Sequence, residues 1–62
     1  MNWRMQLINE LMELIFIYSG SSMGLSDNQN TRLKELYNGL TESGKEYIQI
    51  WAEDNSFKMP SF

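Results

Sequence analysis

The chain reads as all-α, either a helical hairpin or a three-helix assembly, completed by oligomerisation. Three observations predict this. Apolar residues recur at helical spacing along most of the chain. Valine is absent, and no alternating apolar and polar run is long enough to make a strand. Turn-forming residues then cut the 62 residues into three periodic segments. We expect one small helical domain over 1–62, with helices at 2–18, 27–38 and 42–54, a linker at 19–25 and a tail at 55–62.

The first segment, from Asn2 to Tyr18, stops at Ser19-Gly20-Ser21-Ser22-Met23-Gly24, which is rich in turn formers. At about 100° per residue, Asn2, Gln6, Asn9, Glu10 and Glu13 gather into one polar stripe. The rest of the circumference is apolar except at Arg4. Two heptad-spaced seams lie side by side, one of Leu7, Leu11, Leu14 and Tyr18, the other of Met5, Ile8, Met12 and Ile15. Phe16 and Ile17 fall on the flanks of the polar stripe. Arg4 projects near the middle of the apolar arc. It either pairs with a carboxylate across an interface, or lies in a frayed first turn with its stem on apolar surface; the second reading is the one we expect.

The second segment opens with a capping box, Ser26-Asp27-Asn28-Gln29. The Ser26 hydroxyl can accept from the Gln29 amide while the Gln29 side chain reaches back. Leu33, Leu36, Tyr37 and Leu40 share one side, and Gly39 is placed to close the helix in a left-handed conformation. Thr41 is the expected N-cap of the third segment, whose apolar side holds Gly44, Tyr47, Ile48 and Trp51. Gly44 has two readings: it lets a neighbouring backbone approach, or it sits in the first helical turn where glycine costs little. The tail Phe57-Lys58-Met59-Pro60-Ser61-Phe62 is either a frayed terminus or an aromatic flap. A flap would tuck over the second and third helices or dock in a partner's groove.

Size bounds what such a chain can do. At this length folding hides only about 60% of the surface of the unfolded chain, and small domains need a disulfide, a metal or oligomerisation. Cysteine and histidine are both absent, which removes disulfides, thiolate sites and the commonest zinc ligand. Oligomerisation is left. The two short later helices can cover one seam of the first. Leaving the other bare would expose an apolar patch that monomers seldom tolerate. Burying about 500 Å² per chain at roughly 25 cal/mol per Å² is on the order of 12 kcal/mol gross. Association and side-chain ordering take back much of it. The candidate interface is therefore Met5, Leu7, Ile8, Leu11, Met12, Leu14, Ile15 and Tyr18. Either Met12 and Ile15 face another chain while Leu11 and Leu14 face the protein's own helices, or the two seams are reversed, since periodicity alone does not choose.

Other chemistries find no support in the residues. No catalytic, cofactor-binding or metal-ligating residue is assigned, and we expect no enzyme. Glu10 and Glu13 have the spacing of bundle metal ligands, but those sites pair a glutamate with a histidine inside the bundle; we read the pair as a solvated face. Glu42, Glu46, Glu53 and Asp54 likewise form the polar side of the third helix, or an acidic surface facing a basic partner. Ser19, Ser21 and Ser22 lack the lysine of a phosphate loop, and no base is placed to activate a serine. Net charge is −3, and Arg4, Arg32, Lys34, Lys45 and Lys58 are scattered. Direct nucleic-acid binding is not expected, since that needs a concentrated basic face. Without interleaved basic residues, Trp3 and Trp51 read as core and interface, not as base-stacking platforms. The longest apolar run, Leu14 to Tyr18, is far short of the roughly 20 residues that span a bilayer, and a cytoplasmic location is expected.

Residues 32–54, RLKELYNGLTESGKEYIQIWAED, carry a leucine pair, Leu40-Thr41, an acidic residue, Gly44-Lys45 and an aliphatic and aromatic run. This third of the chain resembles the helical segment that follows the DNA-binding domain in phage-repressor, or xenobiotic-response-element, type regulators of Gram-positive bacteria and phages. The resemblance implies linkage or oligomerisation, not base reading. No DNA-binding domain is expected ahead of it, so no DNA-contacting residue carries over. The implied role is that of a small antagonist or co-regulator of such a repressor. Together these readings predict a non-enzymatic protein–protein interaction module, forming a homo-oligomer and possessing no cofactor. The alternative is an amphipathic membrane-surface peptide, which normally carries lysine or arginine on the polar face where this one carries glutamate.

Overall fold

A computed structural model describes residues 3–60, with the side chains of Trp3 and Arg4 and the terminal residues 1, 2, 61 and 62 outside the described part. The two readings of Arg4 and the placements of Trp3 and Phe62 therefore fall outside it. Three helices follow in order: α1 (Trp3–Gly20), α2 (Asp27–Asn38) and α3 (Glu42–Asp54). No strand occurs among the described residues. The protein is a compact three-helix, all-helical unit.

Local chemistry explains where the helices begin. Ser26 caps α2 through the full reciprocal box: the Gln29 N–H donates to Ser26 Oγ at 3.2 Å, and the Ser26 N–H donates to Gln29 Oε1 at 3.0 Å. Thr41 caps α3, its hydroxyl accepting from the Gly44 N–H at 3.2 Å. Gly44 is thus in the first turn of α3. A Cβ there would lie 3.3 Å from the Leu40 Cβ and 3.5 Å from the Thr41 hydroxyl. Its close neighbours are the turn just before it, not another helix.

The ends depart from expectation twice. α1 continues through Ser19 and Gly20. Gly39 is not left-handed, with φ −79 and ψ −8. The N–H of Gly39 donates to the Glu35 carbonyl at 3.1 Å, and that of Leu40 to the Tyr37 carbonyl at 3.1 Å. The chain tightens into one short turn and passes directly to the extended Thr41, so no reversal through positive φ is needed. The left-handed positions are instead Gly24, at φ +75 in the α1–α2 connection, and Ser56, at φ +58 after α3.

One core joins the helices. Leu11, Ile15, Leu33 and Ile48 have no exposed surface, and Leu14, Leu36, Tyr37 and Ala52 are also buried. Leu11 and Ile15 are four apart on α1, hence stacked on one line of the helix, and α2 and α3 contribute Leu33 and Ile48 to the same cluster. Arg32 fastens α2 to α1 with a two-pronged salt bridge to Glu10, Nε to Oε2 at 2.6 Å and Nη2 to Oε1 at 3.1 Å. Glu10 is accordingly not a merely solvated carboxylate; Glu13 remains exposed.

Candidate interaction surface

The site begins with how α1 is rotated. The eight residues proposed for it separate into three groups. Leu11, Leu14 and Ile15 belong to the protein's own core, while Leu7, Ile8, Met12 and Tyr18 are half-buried. Met5 is 52% exposed. The division does not follow the two seams. Ile15, which one of the two seam assignments turns toward another chain, has no surface left to offer. The physical reason is that Leu11 and Ile15, stacked on one line of α1, enter one cluster with Leu33, Leu36 and Tyr37 of α2 and Ile48 of α3, so the core takes residues from both seams. The outer seam is split, with Ile15 turned inward and Met5 turned out.

Phe16 joins Met5 on the outside at 58% exposure. It lies on the polar-stripe flank, and its neighbours one turn back are Met12 and Glu13. On α3, Tyr47 and Ile50 are also exposed, each by half or more. These two were not legible as surface, because Tyr47 shares the apolar side with Ile48 and Trp51.

The tail completes this surface. After α3, the Ser56 N–H donates to the Glu53 carbonyl at 3.0 Å and the Phe57 N–H to the Ala52 carbonyl at 2.8 Å. That pair of bonds is a Schellman closure, with Ser56 in the left-handed position glycine usually holds. The closure aims Phe57 back at Trp51, ring centroids 5.1 Å apart, and edge-on at Phe16, 5.5 Å away. The Lys58 N–H then donates to Ser19 Oγ at 3.0 Å, and Pro60 is buried. The end of the chain through Pro60 is thus a packed flap, not a frayed terminus, and it lies on α1 and α3. A glycine-free Asn55-Ser56 gave no signal for the motif.

Between the flap and α3 is a groove of about 500 Å³, lined by Tyr37, Glu46, Gln49, Ile50, Met59 and Pro60 among others. The hydroxyl of Tyr37 accepts from Gln49 Nε2 at 2.8 Å, and Lys45 Nζ stands 5.8 Å from the centre of the Tyr37 ring. The groove contains no nucleophile with a base beside it. Among the described residues no group of acidic side chains is placed to hold a metal, and no helix is long and apolar enough to cross a membrane. Hydrogen bonding from Arg32 holds the Glu10 carboxyl below its ordinary value. Compared with family models, curated proteins and solved structures, the chain matches none.

Proposed function

We propose that this protein acts by binding other proteins through the outer surface of α1, beginning with copies of itself. The carrying observation is that α1 keeps Met5 and Phe16 more than half exposed although the chain has already closed a core around Leu11 and Ile15. Half-buried Ile8 and Met12 extend that apolar surface. Apolar surface that a core does not use favours association whenever the buried area outweighs the loss of rotational and translational freedom. Sedimentation equilibrium at about 100 micromolar tests the reading, because dimers of a weak pair populate in that range. A species heavier than one 7.3 kDa chain is expected, and a strictly monomeric one refutes it.

The finer role is regulatory. Residues 32–54, which resemble the repressor-associated segment, form the second half of α2, the capped turn at Thr41 and all of α3. That helix–turn–helix pair supports pairing with a transcription regulator as the second interaction. Co-purification with a repressor of that type from the native host is the expected result. Binding to anionic liposomes in a co-sedimentation assay would favour a membrane-surface role instead.

A further inference from the structure

Four residues of α1 repeat at intervals of four, three and four: Met5, Asn9, Met12 and Phe16. This is the spacing of successive d and a positions in a heptad, with Met5 and Met12 at d and Asn9 and Phe16 at a. The line lies beside the core, not in it. Met5 and Phe16 are more than half exposed, Asn9 is exposed and Met12 is half-buried. Asn9 makes no side-chain hydrogen bond among the described residues. A seam thus stands on the surface with an amide at its centre.

We infer that the occupant of this seam is a second copy of the chain, packed parallel, α1 against α1, with the two Asn9 amides hydrogen-bonded across the twofold axis. This deepens the self-association reading and rests on it. Asparagine at an a position sets register and favours two strands because each amide can donate to and accept from its own counterpart. A parallel twofold pair places every seam residue opposite itself. An antiparallel pair sets Asn9 against Met12 and Met5 against Phe16, so each amide is buried beside a thioether with no partner. Charge permits the parallel pair. The seam holds no ionised group, and its flanks are Gln6 and Glu13 at e with Ile8 at g, the other g position, Ile15, being buried in the chain's own core. In a parallel pair e faces g, so the two Glu13 carboxylates do not meet despite a net charge of −3 per chain. Met5 to Phe16 spans about 16 Å of helix, which is short for a permanent dimer. The pair is weak and reversible.

The absence of cysteine makes the test clean. Met5→Cys, Asn9→Cys and Phe16→Cys each introduce one thiol at a surface or seam position, and Thr31→Cys puts one on the exposed face of α2 as a reference. Opposed positions in a parallel pair bring Cα atoms within the roughly 4.4–6.8 Å a disulfide needs. Under mild oxidation, Met5→Cys and Asn9→Cys should form disulfide dimers at least about tenfold faster than Thr31→Cys, the gain in effective concentration that pairing supplies. Circular dichroism on the reduced variants confirms unchanged helicity. If mixed Met5→Cys and Phe16→Cys chains cross-link faster than Met5→Cys alone, the pair is antiparallel and the inference is overturned. If no seam position exceeds Thr31→Cys while the unaltered chain sediments as a dimer, copies meet elsewhere; the seam is refuted and self-association stands. An unaltered chain that sediments as a monomer removes both.

Discussion

Ser56 holds a backbone conformation that costs an L-residue roughly 1–2 kcal/mol, and it does so to complete the Schellman closure of α3. Glycine adopts the same φ without that cost but loses more freedom on folding. Ser56→Gly should therefore stabilise the protein by about 0.5–1 kcal/mol, read as a rise in thermal midpoint of about 4–8 °C per kcal/mol. Gly24 gives the converse case. At φ +75 it is in the left-handed region, and Gly24→Ala should lower stability by about 1–2 kcal/mol. An unchanged or raised midpoint in Gly24→Ala would contradict the assigned conformation.

Glu10 adds a pH dependence whose sign follows from its lowered pKa. Its carboxylate is favoured in the folded state, so the contribution is fully present above the ordinary value of 4.5 and is lost as pH falls through the lowered folded value. Both members of the pair are more than two-fifths exposed, so the effect is small and screened by salt. The acid-side decline in thermal midpoint should be shallower in Glu10→Gln than in the unaltered chain. An identical decline would mean the pair does not persist in solution.

At the scale of elements, the flap is tied to both α1 and α3 through one side chain. Phe57 touches Phe16 of α1 and Trp51 of α3, while the Lys58 N–H bonds Ser19 at the end of α1. Phe57 is half-buried, so Phe57→Ala should cost about 2 kcal/mol, less than the roughly 3–5 of a fully buried ring. It should also uncover Trp51. In a Trp3→Phe background, where Trp51 is the sole tryptophan, its emission should shift to longer wavelength. An unshifted spectrum would mean the ring stack does not shield it.

At the scale of the whole molecule, folding and assembly draw on different faces of α1. Leu11 has no exposed surface. Leu11→Glu buries an unpaired charge at a cost of several kcal/mol and should abolish helicity at every concentration. Met12 lies on the outer seam and is half-buried. Met12→Glu should retain most of the helical signal while reducing the sedimenting mass. Loss of helicity and mass together in both variants would show that the two processes are one event. The thermal midpoint of the unaltered chain should also rise with protein concentration, since a partner that binds the folded state stabilises it by mass action.

What the sequence by itself determined is local. The capping box at Ser26, the Thr41 cap and the three helical stretches follow from hydrogen bonds and periodicity within a few residues, and those interactions are complete before any helix meets another. The inward line of α2 was equally legible, because Leu33, Leu36 and Tyr37 are the buried residues its spacing marks. The rotation of α1 was not. Apolar residues cover too much of its circumference for periodicity to choose an inner face. Only the packing of α1 into one cluster with Leu33, Leu36, Tyr37 and Ile48 decided that Ile15 is core and Phe16 is surface. The salt bridge from Arg32 to Glu10 and the stacking of Phe57 on Phe16 link positions 22 and 41 residues apart. Such pairings exist only once the chain has turned back on itself.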